Sequence, residues 1–189
     1  MNSLEFLEIQ NWFENGVMTE FIEKNFCSTR SIFNGRLSSY EVILKKSLSS
    51  DCLFLISASL GEIGNNCFDH NLGFWQGDPG CLFIREENLC LIADRGQGIR
   101  GSLSKVYNLQ GKEERYIDIA FNKVITGRAP EKRGNGLKFA KKKFASCNLY
   151  LFCSSDGEEF EMGLNKNMMV TGTLKKHLKN CGTLTLLTW

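Results

Sequence analysis

Residues 88–99, Asn-Leu-Cys-Leu-Ile-Ala-Asp-Arg-Gly-Gln-Gly-Ile, constrain the fold more than any other stretch of the chain. The unbroken apolar run of Leu89, Cys90, Leu91, Ile92 and Ala93 leaves no polar face, so it reads as a strand covered on both sides. It ends in a carboxylate, Asp94, followed by Gly96 and Gly98 at alternate positions, which stop the strand and let backbone pass close to another group. An ionised carboxylate is an acceptor only, so at the rim of a buried strand it matches a ligand that offers a donor, such as the exocyclic amine of adenine.

A different reading starts from the same loop. Gly96-Gln97-Gly98-Ile99-Arg100-Gly101 also satisfies the dinucleotide fingerprint G-x-G-x-x-G after a strand. That fingerprint requires a second parallel strand ending in an acidic residue about 20 residues further on. Residues 113–125 look helical instead and supply no such strand.

Upstream, residues 51–70 place Cys52, Ile56, Leu60, Ile63 and Cys67 on one stripe at steps of three and four, which predicts a helix with that stripe in the core. Glu62, Asn66 and Asp69 follow the same spacing and form a polar strip beside it, extended at the helix end by His70. A carboxylate and an amide oxygen presented together suit magnesium, which takes oxygen ligands and keeps several waters. In that role Asn66 would ligate the metal and Glu62 would orient or deprotonate an attacking group. Taken alone, the strip reads rather as an ordinary polar helix face. Gly61 and Gly64 each cost a helix about 1 kcal/mol relative to alanine and suggest close packing of another element.

Residues 3–47 carry helical apolar spacings, at Leu4, Leu7, Ile9 and Phe13 and again at Phe21, Ile22 and Phe26, with breaks expected at Gly16, Ser31 and Gly35. Strands are expected over residues 81–85, 89–94, 149–154, 159–164 and 183–188, and further helices over 113–125 and 137–144. Glu86-Glu87-Asn88 and Ser155-Asp156-Gly157 read as hairpin turns. The economical architecture is an α+β two-layer sandwich, a mixed and mostly antiparallel sheet with helices on one face. No repeat or Pro-rich linker interrupts the chain. Residues 1–50 are expected to be a helical accessory segment and residues 51–189 the functional domain, the two forming one compact unit.

A third glycine-bearing segment, residues 127–137, leads into a helix that continues through Lys141. Gly134 and Gly136 at a helix start would expose backbone N–H groups at the positive dipole end, which suits phosphate oxygens. Arg128, Lys132, Arg133 and Lys138 would add charge, whereas Lys141 to Lys143 read as a solvated face. No G-x-x-x-x-G-K-[ST] run occurs, so this segment is not a P-loop.

Charge and cysteine usage narrow the setting. Lys and Arg number 23 against 21 Asp and Glu, a net charge of +2 that provides no long-range field for nucleic acid or an anionic membrane. The N-terminus has no basic segment ahead of an apolar one, and the longest apolar stretch, near residues 53–60, is too short to span a bilayer. A cytoplasmic protein is expected, with its eight cysteines, none in a C-x-x-C pair, as buried thiols rather than disulfides or metal ligands.

The three segments in this order resemble the signature boxes of the GHKL superfamily, the histidine-kinase-like ATPases of gyrase, heat-shock chaperones, histidine kinases and MutL, with their Bergerat ATP-binding fold. Glu62, Asn66 and His70 resemble the N box, Asp94 to Gly98 the adenine-binding D-x-G-x-G box, and Gly134-Asn135-Gly136-Leu137 the second glycine box. Gly182-Thr183 resembles the closing threonine segment. The similarity spans roughly residues 51–189, and motifs that are individually weak are jointly specific when they agree.

The resemblance implies ATP and Mg2+ as ligands, Asn66 as the metal ligand, Glu62 as catalytic base and Asp94 as the adenine reader. It implies nucleotide contacts from Asp69, His70, Gly96, Gly98, Ile99, Arg133, Gly134, Gly136, Leu137, Lys138 and Thr183, with residues 99–133 as the ATP lid. Lys138 departs from the usual G-x-G-L-G-L run, and no dimerisation helix with a phosphoacceptor histidine is evident, since His177 lies in a late polar stretch. The chain is too short for the transducer domain of gyrase, MutL or the chaperones, so it most resembles compact free-standing members such as anti-sigma-factor kinases. The partner implied is a STAS-like or sigma-factor-like regulatory protein, with a homodimer also compatible. Two functions follow: a kinase or ATPase, or a nucleotide-dependent binding module with little turnover. A purely structural domain is the third reading.

Overall fold

The computed structural model describes residues 1–107, 109, 114–122, 146–164 and 182–189. In chain order its elements are α1 (Ser3–Asn15), α2 (Glu20–Asn25), β1 (Phe26–Cys27), α3 (Arg30–Leu44) and α4 (Ser50–His70). Then come β2 (Cys81–Glu86), β3 (Leu89–Asp94), α5 (Gly98–Leu103), α6 (Tyr116–Asn122), β4 (Tyr150–Ser155), β5 (Glu158–Gly163) and β6 (Thr183–Thr188). The strands form one sheet in the order β1-β2-β3-β6-β4-β5, and every described pairing is antiparallel. That pattern excludes the dinucleotide reading, because the described element after α5 is the helix α6 and no parallel strand pairs with β3.

Alternation along the strands sorts the core into two layers. On one face Cys81, Phe83, Cys90, Ile92, Leu151 and Cys153 pack against α3, α4 and α6. This face is the α+β packing of helices on an antiparallel sheet expected from the sequence. Between α3 and α4 the backbone approaches closely at Gly64, where a Cβ would run into the Phe33 ring, so a glycine inside α4 trades helix propensity for helix packing. Gly61, by contrast, leaves room for ordinary contact with Leu37.

The opposite face is covered as well. Ile9, Trp12 and Phe13 of α1 and Ile22 of α2 bury Leu82, Leu91, Ala93, Phe152 and Leu184. Helices therefore lie on both sides of the sheet, which corrects the expectation of one helical face and explains why β3 has no polar side. The expected break at Gly16 holds, since it caps α1. Ser31 and Gly35 interrupt nothing and lie inside α3, whose start is fixed by the Thr29 side chain accepting from the Ile32 N–H. Residues 27–44 share one core cluster with Leu55 to Cys67, so the packing does not divide at residue 50.

Two further differences concern helices and cysteines. The helix expected over 113–125 is described only as α6, and the one expected over 137–144 lies outside the described residues. Cys52, at the start of α4, is disulfide-bonded to Cys147, just before β4, with a Cα–Cα distance of 5.5 Å. Their separation of 95 residues is invisible to a reading based on short cysteine spacings, so the expectation that all cysteines are thiols fails for this pair. Cys27, Cys67, Cys81, Cys90 and Cys153 are buried free thiols as expected. Among the described residues no helix is long and apolar enough to cross a membrane.

Candidate functional site

The antiparallel register lines up one transverse row of residues across all six strands. Cys27 pairs with Cys81, Cys81 with Asp94, Asp94 with Thr183, Thr183 with Ser155, and Ser155 with Glu158. Register partners share a face, so this polar and thiol row closes the apolar core on the α4 side at the carboxyl end of β3. Asp94 sits near its middle.

Asp94 is 4% exposed and is held from several directions. Its Oδ1 accepts from Asn71 Nδ2 at 2.9 Å and from the Gly96 N–H at 2.9 Å, the second bond forming a tight Asx turn just past the strand. Burial pushes its pKa up to about 6, against the opposing pull of the Gly96 N–H, the Cys67 thiol, the Asn71 amide and the Thr183 N–H. Desolvation thus outweighs the donors that ring the carboxylate.

Asn71 links the two motifs. It follows the last residue of α4, is 4% exposed, and its side chain makes three bonds, all within the site. Its amide donates to Asp94 and to the Cys67 carbonyl at 2.8 Å, and its Oδ1 accepts from the Gln97 N–H at 3.0 Å. Gly96 is required there, because a Cβ would land inside the Asn71 amide. Gly182, with φ of 71°, is required for the same kind of reason: a Cβ would fall on the Asp94 carbonyl where the chain enters β6. Asn71 escaped the sequence reading because an asparagine after a helical stripe signals only a helix end.

The polar strip of α4 occupies its last two turns. Glu62 is half-buried and Asn66 exposed, and neither has a hydrogen-bond or ion-pair partner among the described residues. Asp69 pairs with Arg30 of α3. His70 Nδ1 stands 3.3 Å from Ser102 Oγ, and its carbonyl accepts from the Gln97 side chain. The fold thus brings Asp94, Gly96 and Thr183 to the end of the helix that carries Glu62, Asn66, Asp69 and His70.

Gly98 and Ile99 open α5, whose first residues are capped by the β4–β5 hairpin rather than by Gln97. Ser155 Oγ accepts from the Ile99 N–H at 2.9 Å and donates to the Gly182 carbonyl at 2.9 Å. Asp156 Oδ2 accepts from the Arg100 N–H at 2.9 Å, and Glu158 accepts from the Arg100 guanidinium and from the Ile117 N–H of α6, each at 3.0 Å. The loop after Asp94 is fixed from behind as well, since Arg95 Nε donates to the Phe13 carbonyl of α1 at 3.2 Å. Arg133, Gly134, Gly136, Leu137 and Lys138, the expected phosphate segment, lie outside the described residues.

No cluster of three His, Cys, Asp or Glu suited to a metal occurs among the described residues. The donor set at Asn66 and Glu62 fits a magnesium ion that takes most of its oxygens from phosphate and water. Comparison with protein-family models finds none that matches the chain, and comparison with curated proteins finds no match either.

Proposed function

We propose that the chain binds ATP with magnesium in a histidine-kinase-like pocket on the α4 side of the sheet and transfers its γ-phosphoryl group to a regulatory protein partner. The observation that carries this reading is the joint built by Asn71, which ties the donor-ringed carboxylate of Asp94 to the end of the helix bearing Glu62 and Asn66. The order of the three sequence boxes, resembling the GHKL superfamily and its Bergerat fold, supports it further. In this reading Asp94 accepts from the adenine amine and Thr183 flanks the base, while Gly96 and Gly98 fix the loop by admitting the Asn71 amide and the Asp156 carboxylate where a Cβ would sit. Asn66 would hold the magnesium, which supplies counter-charge to the triphosphate. Glu62 takes the proton of the attacking hydroxyl. The partner is of the STAS-like or sigma-factor-like kind, with a homodimer compatible.

One observation favours a second reading, a nucleotide-dependent binding module with little turnover. Catalytic bases are normally oriented by a neighbour, and Glu62 has none among the described residues. Calorimetric titration with ATP, with and without magnesium, tests the pocket, and labelled-ATP turnover tests the chemistry. The expected results are binding strengthened by magnesium and a fall in turnover of about 100-fold or more in Glu62→Gln. Absence of ATP binding removes the pocket, equal and substantial turnover in both proteins removes Glu62 from the mechanism, and binding with negligible turnover in the wild type leaves the second reading.

A further inference from the structure

A second nucleophile and base meet at the open end of α4, and the proposed function does not use them. Ser102, in the last turn of α5, places its Oγ 3.3 Å from Nδ1 of His70, the last residue of α4. The two are 32 residues apart, so the fold makes the contact. Gln97 braces it by donating from its amide to the His70 carbonyl while its Oε1 accepts from Lys105 Nζ at 2.7 Å. Lys105 in turn lies over the Phe74 ring at 3.7 Å, which holds an ammonium close by.

A serine hydroxyl hydrogen-bonded to an imidazole is the arrangement that turns a weak nucleophile into a competent one, and such contacts are often loose until substrate binds. We propose that Ser102 is a self-phosphorylation site, with His70 as its base. Ser102 Oγ attacks the γ-phosphorus of ATP, and the bond from that phosphorus to the β–γ bridging oxygen breaks. ADP leaves with the electron pair, and the hydroxyl proton passes to His70 Nδ1 and then to solvent. The inference rests on the nucleotide reading and adds an acceptor to it. Asn66 and His70 are one turn apart on α4, so Asn66 would hold the metal one turn from the base that Ser102 contacts. The new phosphate then lies beside His70 and three residues from Lys105, where charge-assisted hydrogen bonds stabilise it.

The test incubates the whole chain with magnesium and ATP, measures intact mass, and maps the modified peptide, with ATP affinity measured in parallel by calorimetry. The expected result is one phosphoryl group at residue 102, lost in Ser102→Ala, retained as phosphothreonine in Ser102→Thr, and formed about 100-fold more slowly in His70→Gln. Without nucleotide, the ring nitrogen shifts of His70 should change between wild type and a folded Ser102→Ala variant, reporting the hydroxyl contact. ATP binding with no phosphate at residue 102, or unchanged His70 shifts, overturns the inference and leaves the pocket standing. Absence of ATP binding overturns both.

Discussion

Asp94 carries an electrostatic conflict between burial and the donors around it. Its pKa rises from 3.8 to about 6 because burial penalises the charge more than the surrounding donors reward it. A raised folded-state value means that Asp94 favours the native state at pH below its ordinary value and that this contribution is lost as pH rises through about 6. The loss is on the order of 3 kcal/mol. Urea unfolding across this window should show wild-type stability falling with pH and a flatter profile in Asp94→Asn; parallel profiles would contradict the assignment. The carboxylate itself was legible in the sequence, as a charge ending an apolar strand. Its principal partner was not, because Asn71 announces its role only when α4 and β3 come together 23 residues apart. Glu62 and Asn66 were legible as a strip, yet periodicity could not say that Asp69 would turn to Arg30.

At the scale of elements, the β4–β5 hairpin acts as an external cap for α5. Ser155 takes the Ile99 N–H and gives its own proton to the Gly182 carbonyl, so one hydroxyl joins three segments around the site. Ser155→Ala should cost about 1–3 kcal/mol and speed amide exchange at Ile99, since both a cap and a buried carbonyl partner are lost. Unchanged Ile99 protection would show that α5 does not depend on the hairpin. The hairpins at residues 86–88 and 155–157 were readable from turn chemistry, as were the five longer strands, because apolar runs bounded by polar turns have few other solutions. Two-residue β1 is too short for any periodicity to reveal. The continuity of α3 through Ser31 and Gly35 was hidden because tertiary packing of Phe33, Leu37 and Tyr40 overrides weak local breakers.

Across the whole molecule, the N-terminal segment is part of the site's scaffold and not an appendage. Its α1 and α2 seal the far face of the sheet, Arg95 anchors the loop after Asp94 to α1, and α3 packs on the helix that bears the polar strip. The Cys52–Cys147 bridge ties the other end of that helix to the strand region that supplies Ser155. Global arrangements of this kind join residues far apart in sequence, which is why boxes and strands could be read directly while their supports could not. The proposed contact, a purine amine donating to Asp94, can be measured directly. Calorimetry with ATP and with inosine triphosphate, which carries a carbonyl where adenine has its amine, isolates that contact. The account predicts that the wild type prefers ATP by roughly 10- to 100-fold, the worth of one buried hydrogen bond, and that Asp94→Asn abolishes the preference. Equal affinity of the wild type for the two nucleotides would contradict it.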